Sequence, residues 1–372
     1  MVSESRQPRA IVMINDIRVA WIDIEVNNNA YYQADSFRVT IPIKDQPSKI
    51  DRAWWASQDM MEVEIYTGLP PDADKYSTSD LDLLISARVD NCPHEMVSDV
   101  IVLTGRDYTA DLIDTKTSDK WPMKTASAIA IAIANKYELT AGFVTPTKTK
   151  VGTYYDHDHA KLQMDMSEWD LLVWLASAEG FQIYVEGKNL HFEPRPTEPP
   201  IYKIIWADAT ANSIKKFNGT SLTFDRNLTL AKDVIVHVKS WNQKQKKGFI
   251  KSVKAPRTKD KTARGYRIGK PQEFSYSIPN LTPEQALQMA WSKLVEISRH
   301  QLSMTAVGIP AVGNGILSTR HIIEVTGTGA YDQSYMPDSI TRKISIRDGY
   351  TMDVVAKNHD VNSVIPISAG GT

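Results

Sequence analysis

The chain holds one cysteine, Cys92, in 372 residues, which excludes an intrachain disulfide framework and a cysteine-rich metal site. Free cysteines are most often small buried residues, and Cys92, beside Pro93 in a strand-rich stretch, is read as one. No segment approaches the roughly 18–20 apolar residues that a helix needs to cross a bilayer. The amino-terminal MVSESRQPRA lacks the apolar centre of a signal peptide, so folding in a reducing cytoplasm is expected. An excess of one charge sign is missing too. The 43 Lys and Arg balance 44 Asp and Glu, leaving no global field toward nucleic acid or membrane. GxSxG, HExxH, Walker A and GxGxxG are all absent. A glycosidase needs two opposed carboxylates, and spacing singles out no pair among the 44 acids.

The composition that remains, 42% hydrophobic and 23% charged, is that of a folded protein, and the length suggests two or three domains. Residues 10–26 alternate in polarity around Asn15-Asp16, as a hairpin does. Residues 36–43, 61–67, 84–91 and 100–104 continue the alternation, which predicts a small barrel or sandwich. After Gly105 the period changes. Residues 106–115, 123–137 and 167–179 read as helices, the last with a Ser167/Asp170 cap, a buried row of Trp169, Leu172, Leu175 and Ala176, and Gly180 at its end. FQIYVEGKNLHF then reads as a hairpin turning at Gly187, and 194–200 as a Pro-rich connector. Beyond Ile201 strands return, interrupted by one helix. Thr282, Pro283 and Gln285 start it, and Leu287, Ala290, Trp291 and Leu294 are its expected buried row. Asp348-Gly349 marks a late hairpin, and ISAGGT a mobile tail. The fold class is therefore α+β, mainly β, divided as 1–115 (β), 116–200 (mixed α/β) and 201–372 (β with one helix).

Two polar clusters invite chemistry. Asp156-His157-Asp158-His159 carries metal-ligating side chains, but no further ligand lies at a recognised spacing, so a polar titratable loop is the better reading and no metal residue is assigned. Between Lys239 and Lys270 lie Lys244, Lys246, Lys247, Lys251, Lys254, Arg257, Lys259, Lys261, Arg264 and Arg267 against one acid, Asp260. Such a run is a solvated excursion between strands, a grip on DNA phosphates, or a contact with an acidic partner. The aromatics among them (Trp241, Phe249, Tyr266) are too sparse for a base-stacking platform.

The segment Gly105-Arg106-Asp107-Tyr108-Thr109-Ala110-Asp111-Leu112-Ile113-Asp114 resembles the phage tail-hub family. That family includes the phage Mu hub protein, late control D proteins and, more distantly, the amino-terminal part of type VI secretion spike proteins. SEWDLLVWLASAEGFQIYVEGKNLHF and LTPEQALQMAWSKLVEISRH resemble its later blocks, in the family's order. VGIPAVGNGILSTRHIIEV departs from it, having glycines but no tryptophan. The resemblance implies two tail-tube-like β-barrel domains around the mixed domain. It implies a homotrimeric ring that adapts a six-fold tail tube to a three-fold spike. Its partners would be further copies of itself, the tube, the spike, the baseplate wedges and the tape measure protein, with DNA only in transit and no membrane insertion. The implied place is the virion tail baseplate, assembled in the host cytoplasm, with no cofactor and no catalysis. A tail-associated peptidoglycan hydrolase and a DNA-contacting connector using 239–270 are the rival functions. Under the resemblance the motif is structural: Gly105 permits a tight turn, Arg106, Asp107, Tyr108, Ala110 and Asp111 fix the strand-to-helix handover, and Leu112 and Ile113 enter a core.

Overall fold

A computed structural model describes residues 8–30, 32–116, 121, 124–148, 167–209, 216–227, 234–242, 247–254, 272–278, 281–310 and 317–359. It divides into two compact units. The first contains residues 1–197, 310–316 and 339–352, and the second contains 198–309, 317–338 and 353–372.

In the first unit, β1 (Arg9–Ile14) and β2 (Ile17–Val19) form the predicted hairpin. Asn15 and Asp16 take φ of 46° and 61°, the left-handed pair that a two-residue turn between twisted strands requires. Six strands follow before the helices: β3 (Asp23–Asn29), β4 (Ser36–Pro42), β5 (Glu62–Gly68), β6 (Asp82–Asn91), the two-residue β7 (His94–Glu95) and β8 (Val100–Asp107). A short helix, α1 (Arg52–Ser57), starts on Asp51, whose carboxylate accepts the Trp54 amide. The strand order is β2-β1-β5-β6-β8-β4-β3, antiparallel throughout. Alternation buries Ile24, Val26, Phe37, Val39, Ile41, Ile101 and Leu103.

Four more elements build a second layer in this unit: α2 (Thr109–Asp114), α3 (Ala126–Lys136), β9 (Thr140–Val144) and α4 (Glu168–Glu179), followed by β10 (Phe181–Glu186) and β11 (Asn189–Pro194). The capping box of α4 is complete. Asp170 N donates to Ser167 Oγ at 3.1 Å and Ser167 N to Asp170 Oδ2 at 3.0 Å, while Gly180 closes the helix at φ 73°. Trp169, Leu172, Leu175 and Ala176 are all buried, packed with Ile129, Ile133, Leu190 and Phe192.

The second unit starts at β12 (Ile201–Ile205), followed by β13 (Ser221–Arg226), β14 (Val234–Asn242), β15 (Lys247–Lys254), β16 (Gln272–Ser277) and α5 (Pro283–Arg299). It continues with β17 (Leu302–Pro310) and β18 (Ile322–Thr326); β19 (Ser334–Ser345) and β20 (Gly349–Asn358) have residues in both units. β13 pairs antiparallel with β17, and β12 parallel with β18. The Ser339–Ser345 part of β19 belongs to the first unit, antiparallel to β3. A separate sheet, β15-β14-β16, lies under α5.

The chain is mainly β, as expected, and no sheet among the described residues closes into a barrel. One expectation fails at α5. Its buried row is Ala286, Ala290, Leu294 and Ser298, while Leu287 and Trp291 are 41% and 43% exposed. The row of small residues brings the helix down onto Val234, Val236 and Val238, and the bulky pair one position along points outward. Cys92 is also only partly buried, and burial pushes its thiol up, away from nucleophilic use. The Asp156–His159 cluster and the ISAGGT tail lie outside the described residues.

Candidate functional site

The Gly105–Asp114 segment links β8 to α2. Gly105 sits within β8, opposite Phe37 of β4 and Val89 of β6, and not in the expected turn. A β-carbon there would lie 1.9 Å from the Arg88 carbonyl oxygen and 2.7 Å from Phe37 Cε1. The register of β6 shifts between Val89 and Asn91, and this bulge brings its backbone against β8. Glycine is needed for close approach rather than for backbone freedom.

Arg106 spans two elements. Its guanidinium donates to Asp90 on β6 (Nε–Oδ2 2.7 Å, Nη2–Oδ1 3.2 Å) and to Asp114 at the end of α2 (Nη2–Oδ2 2.7 Å, Nη1–Oδ1 3.1 Å). Both pairs are two-pronged, a geometry that lysine cannot reproduce. The guanidinium holds the Asp114 carboxyl below its usual range. Asp107, the last residue of β8, turns inward and accepts Thr109 N at 3.1 Å and Thr109 Oγ1 at 3.2 Å at the start of α2. Burial, with the nearby Asp35 carboxylate adding to it, pushes the Asp107 carboxyl up.

Tyr108 is buried between two cations. Arg88 Cζ lies 5.2 Å and Lys188 Nζ 5.3 Å from its ring centroid. Both cations are themselves paired: Arg88 Nη1 donates to Asp111 Oδ2 at 2.6 Å, and Lys188 Nζ to both Glu62 oxygens at 3.0 Å. Ala110 and Leu112 are buried, and Ile113 packs against the same core. The segment thus ties β5, β6, β8, α2 and the β10–β11 turn together. Arg106, Asp111 and Asp114 of the segment are each paired with an opposite charge of the same unit.

Of the predicted basic run, Lys251 and Lys254 stand on β15 and Lys247 begins it, whereas Lys244, Lys246, Arg257, Lys259 and Lys261 lie outside the described residues. Among the described residues no group of three His, Cys, Asp or Glu could hold a metal, and no helix is long and apolar enough to cross a membrane. Sequence reasoning missed Arg88 and Lys188, which carry no local signature. It also passed over Arg342, although its phase with Ile340 and Ile344 was a signal. Arg342 is buried and donates to Asn28 Oδ1 at 2.8 Å and Tyr350 OH at 3.1 Å.

No family model and no curated sequence matches the chain. Solved structures do. A tail protein from Neisseria meningitidis MC58 is 14% identical, with a TM-score of 0.65 over 95% of this chain and 97% of that one. The 43 kDa tail protein of prophage MuSo2 from Shewanella oneidensis is 14% identical, with a TM-score of 0.61 over 95% and 98%. An E. coli component of the type VI secretion system, described as similar to the phage T4 tail proteins gp27 and gp5, is 9% identical, with a TM-score of 0.52 over 94% and 77%. Across nearly its whole length, this chain has the fold of phage tail proteins.

Proposed function

We propose that the chain is a structural hub subunit at the base of a contractile phage tail or a related injection particle. Three copies form a ring, each contributing two tube-like β modules, 1–115 and 201–372, around the mixed 116–200 region. Six similar faces then meet the six-fold tail tube and three meet the spike, with a passage for DNA between. Wedge and tape measure proteins are its other neighbours in the virion. The subunit works by holding position, without catalysis or a cofactor. The observation that carries this reading is the end-to-end likeness in fold to tail proteins, 95% of this chain against 97% and 98% of theirs. The pairing of Arg106, Asp111 and Asp114 with opposite charges of their own unit supports it.

Sedimentation of the purified chain, alone and mixed with its particle's tube and spike proteins, tests the proposal. Three copies per complex are expected, and a monomer under every condition would overturn it. A muralytic assay separates the hydrolase alternative, since clearing of cell walls would contradict a purely mechanical role.

A further inference from the structure

In the first unit Asp23 pairs with both Thr40 and Ser345, and Pro42 pairs with Val100. The connections β2–β3, β7–β8 and β19–β20 therefore lie at one end of the sheet. Turns favour Gly, Asn, Asp, Ser and Pro. These expose Val97 (96%), Ile346 (76%), Met96 (59%) and Ile22 (39%). Single exposed aliphatics are ordinary, but four on the turns of one sheet end form a patch. The turns are also pinned. Val97 N donates to Glu95 Oε1 at 3.0 Å, and Asp99, at φ 56°, accepts Arg52 Nη2 at 2.8 Å. Asp348 N donates to Ser345 Oγ at 2.7 Å. Ala20 N donates to Gln46 Oε1 and Gln46 Nε2 donates back to Ala20 O, both at 3.0 Å. Turns held this way lose little freedom when a partner buries their tips. At the opposite end Trp169 Nε1 of α4 donates to Tyr32 O in the β3–β4 connection at 2.9 Å, and β8 runs into α2, so the chain's own helices meet the sheet there.

Size and number decide what such tips fit. At about 100 Å² of apolar surface per aliphatic side chain, the four hold roughly 300 Å², well short of the ~800 Å² that each partner gives to a stable one-to-one interface. One copy alone would bind weakly, whereas several joined in a ring would bind together. The second unit's exposed large aliphatics among the described residues, Ile201, Ile205, Ile250 and Leu287, stand on β12, β15 and α5 and not on turns. Among the described residues the rim thus occurs once per chain, three times in a ring of three, which suits a three-fold partner and not a six-fold one. Glu95, Asp99 and Asp348 flank the tips against Arg52 and Arg347, which gives an anionic bilayer no attraction. We propose that Ile22, Met96, Val97 and Ile346 are one third of a docking rim for a trimeric protein, each set entering an apolar socket of one of its subunits. The inference rests on the hub reading, in which that protein is the spike, and adds the surface that receives it.

Binding of the full chain to its particle's purified spike protein tests it, measured beside binding to the tube protein and to vesicles of phosphatidylglycerol and phosphatidylethanolamine. Circular dichroism and melting confirm that each variant folds, and sedimentation follows its trimer. Met96→Ser with Val97→Ser should weaken spike binding about 10- to 100-fold, leaving melting, trimer formation and tube binding unchanged. Ile346→Ser, which removes one tip, should weaken it less. If the folded variants bind spike like the parent, or the parent forms trimers that do not bind spike, this surface is wrong while a trimeric hub still stands. Loss of tube binding with spike binding intact makes the six-fold tube the occupant and overturns the inference, as does vesicle binding by the parent that the variants lose. A parent that neither forms trimers nor binds spike or tube brings down the hub reading as well.

Discussion

In the Gly105–Asp114 segment each charged side chain is bonded within its own unit, whereas the β14–β15 hairpin turns lysines and an indole toward solvent. The first region is the densest motif in the sequence, and the second matches no motif. In the first region Arg106, Asp111 and Asp114 are each paired with an opposite charge, and Asp107 is buried against Thr109. The difference teaches that a dense run of charged residues can serve a strand-to-helix junction, and that a surface for partners is better sought where alternation leaves outer side chains exposed.

One added methyl group should separate the two regions most strongly. Gly105→Ala meets backbone that cannot rotate away, so urea denaturation should show a loss of about 4 kcal/mol or failure to fold. Gly248→Ala meets the movable indole, and its cost should stay within about 1 kcal/mol. Similar losses at both positions would erase the distinction between a locked and an open region. The second test stays on α5. Leu294→Ala empties a fully buried position and should cost about 3 kcal/mol. Trp291→Ser, although it removes a larger side chain, should change stability by no more than about 0.5 kcal/mol. A costly Trp291→Ser would restore the row read from sequence.

That misreading has a physical origin. Period-3.6 counting favours the bulkiest apolar residues, but a helix lying close to a sheet needs small ones, and Ala286 and Ala290 carry little weight in such a count. Where local chemistry decides, the sequence was legible: the Asn15-Asp16 turn, the α4 capping box and its buried row, and the Gly187 hairpin all depend on residues within a few positions. Where distant segments decide, it was not. Gly105 is read as a turn residue until the β6 backbone is seen against it. The cations beside Tyr108 come from positions 88 and 188, and Arg342 bonds to Asn28, 314 residues earlier.

A third test concerns the clamp itself. Arg106→Gln keeps hydrogen bonding to one carboxylate at best and leaves Asp90 and Asp114 without their shared cation. The guanidinium and both carboxylates are a third or more exposed, so solvent screening limits the loss to about 1 kcal/mol. Arg106→Lys should recover little of it, because one ammonium cannot satisfy two two-pronged pairs. Full rescue by lysine would show that charge alone, not the fork geometry, joins β6 to α2.

The smallest effect is a change of slope. Asp107 is held in its neutral form by burial and by Asp35, so its folded pKa lies above the ordinary aspartate value near 4. A raised carboxyl binds its proton more tightly folded than unfolded. Its contribution is therefore complete below the unfolded pKa and is lost as pH rises through the folded one. Asp99 and Asp114, held low by Arg52 and Arg106, act in the opposite direction and lose their contribution as pH falls. Asp107→Asn keeps an oxygen to accept Thr109 N but has no proton to lose. Denaturation from pH 4.5 to 8.5 should show the parent losing stability with rising pH relative to the variant. Parallel pH profiles would mean that Asp107 ionises in the folded unit without penalty, and that its inward position owes nothing to a retained proton.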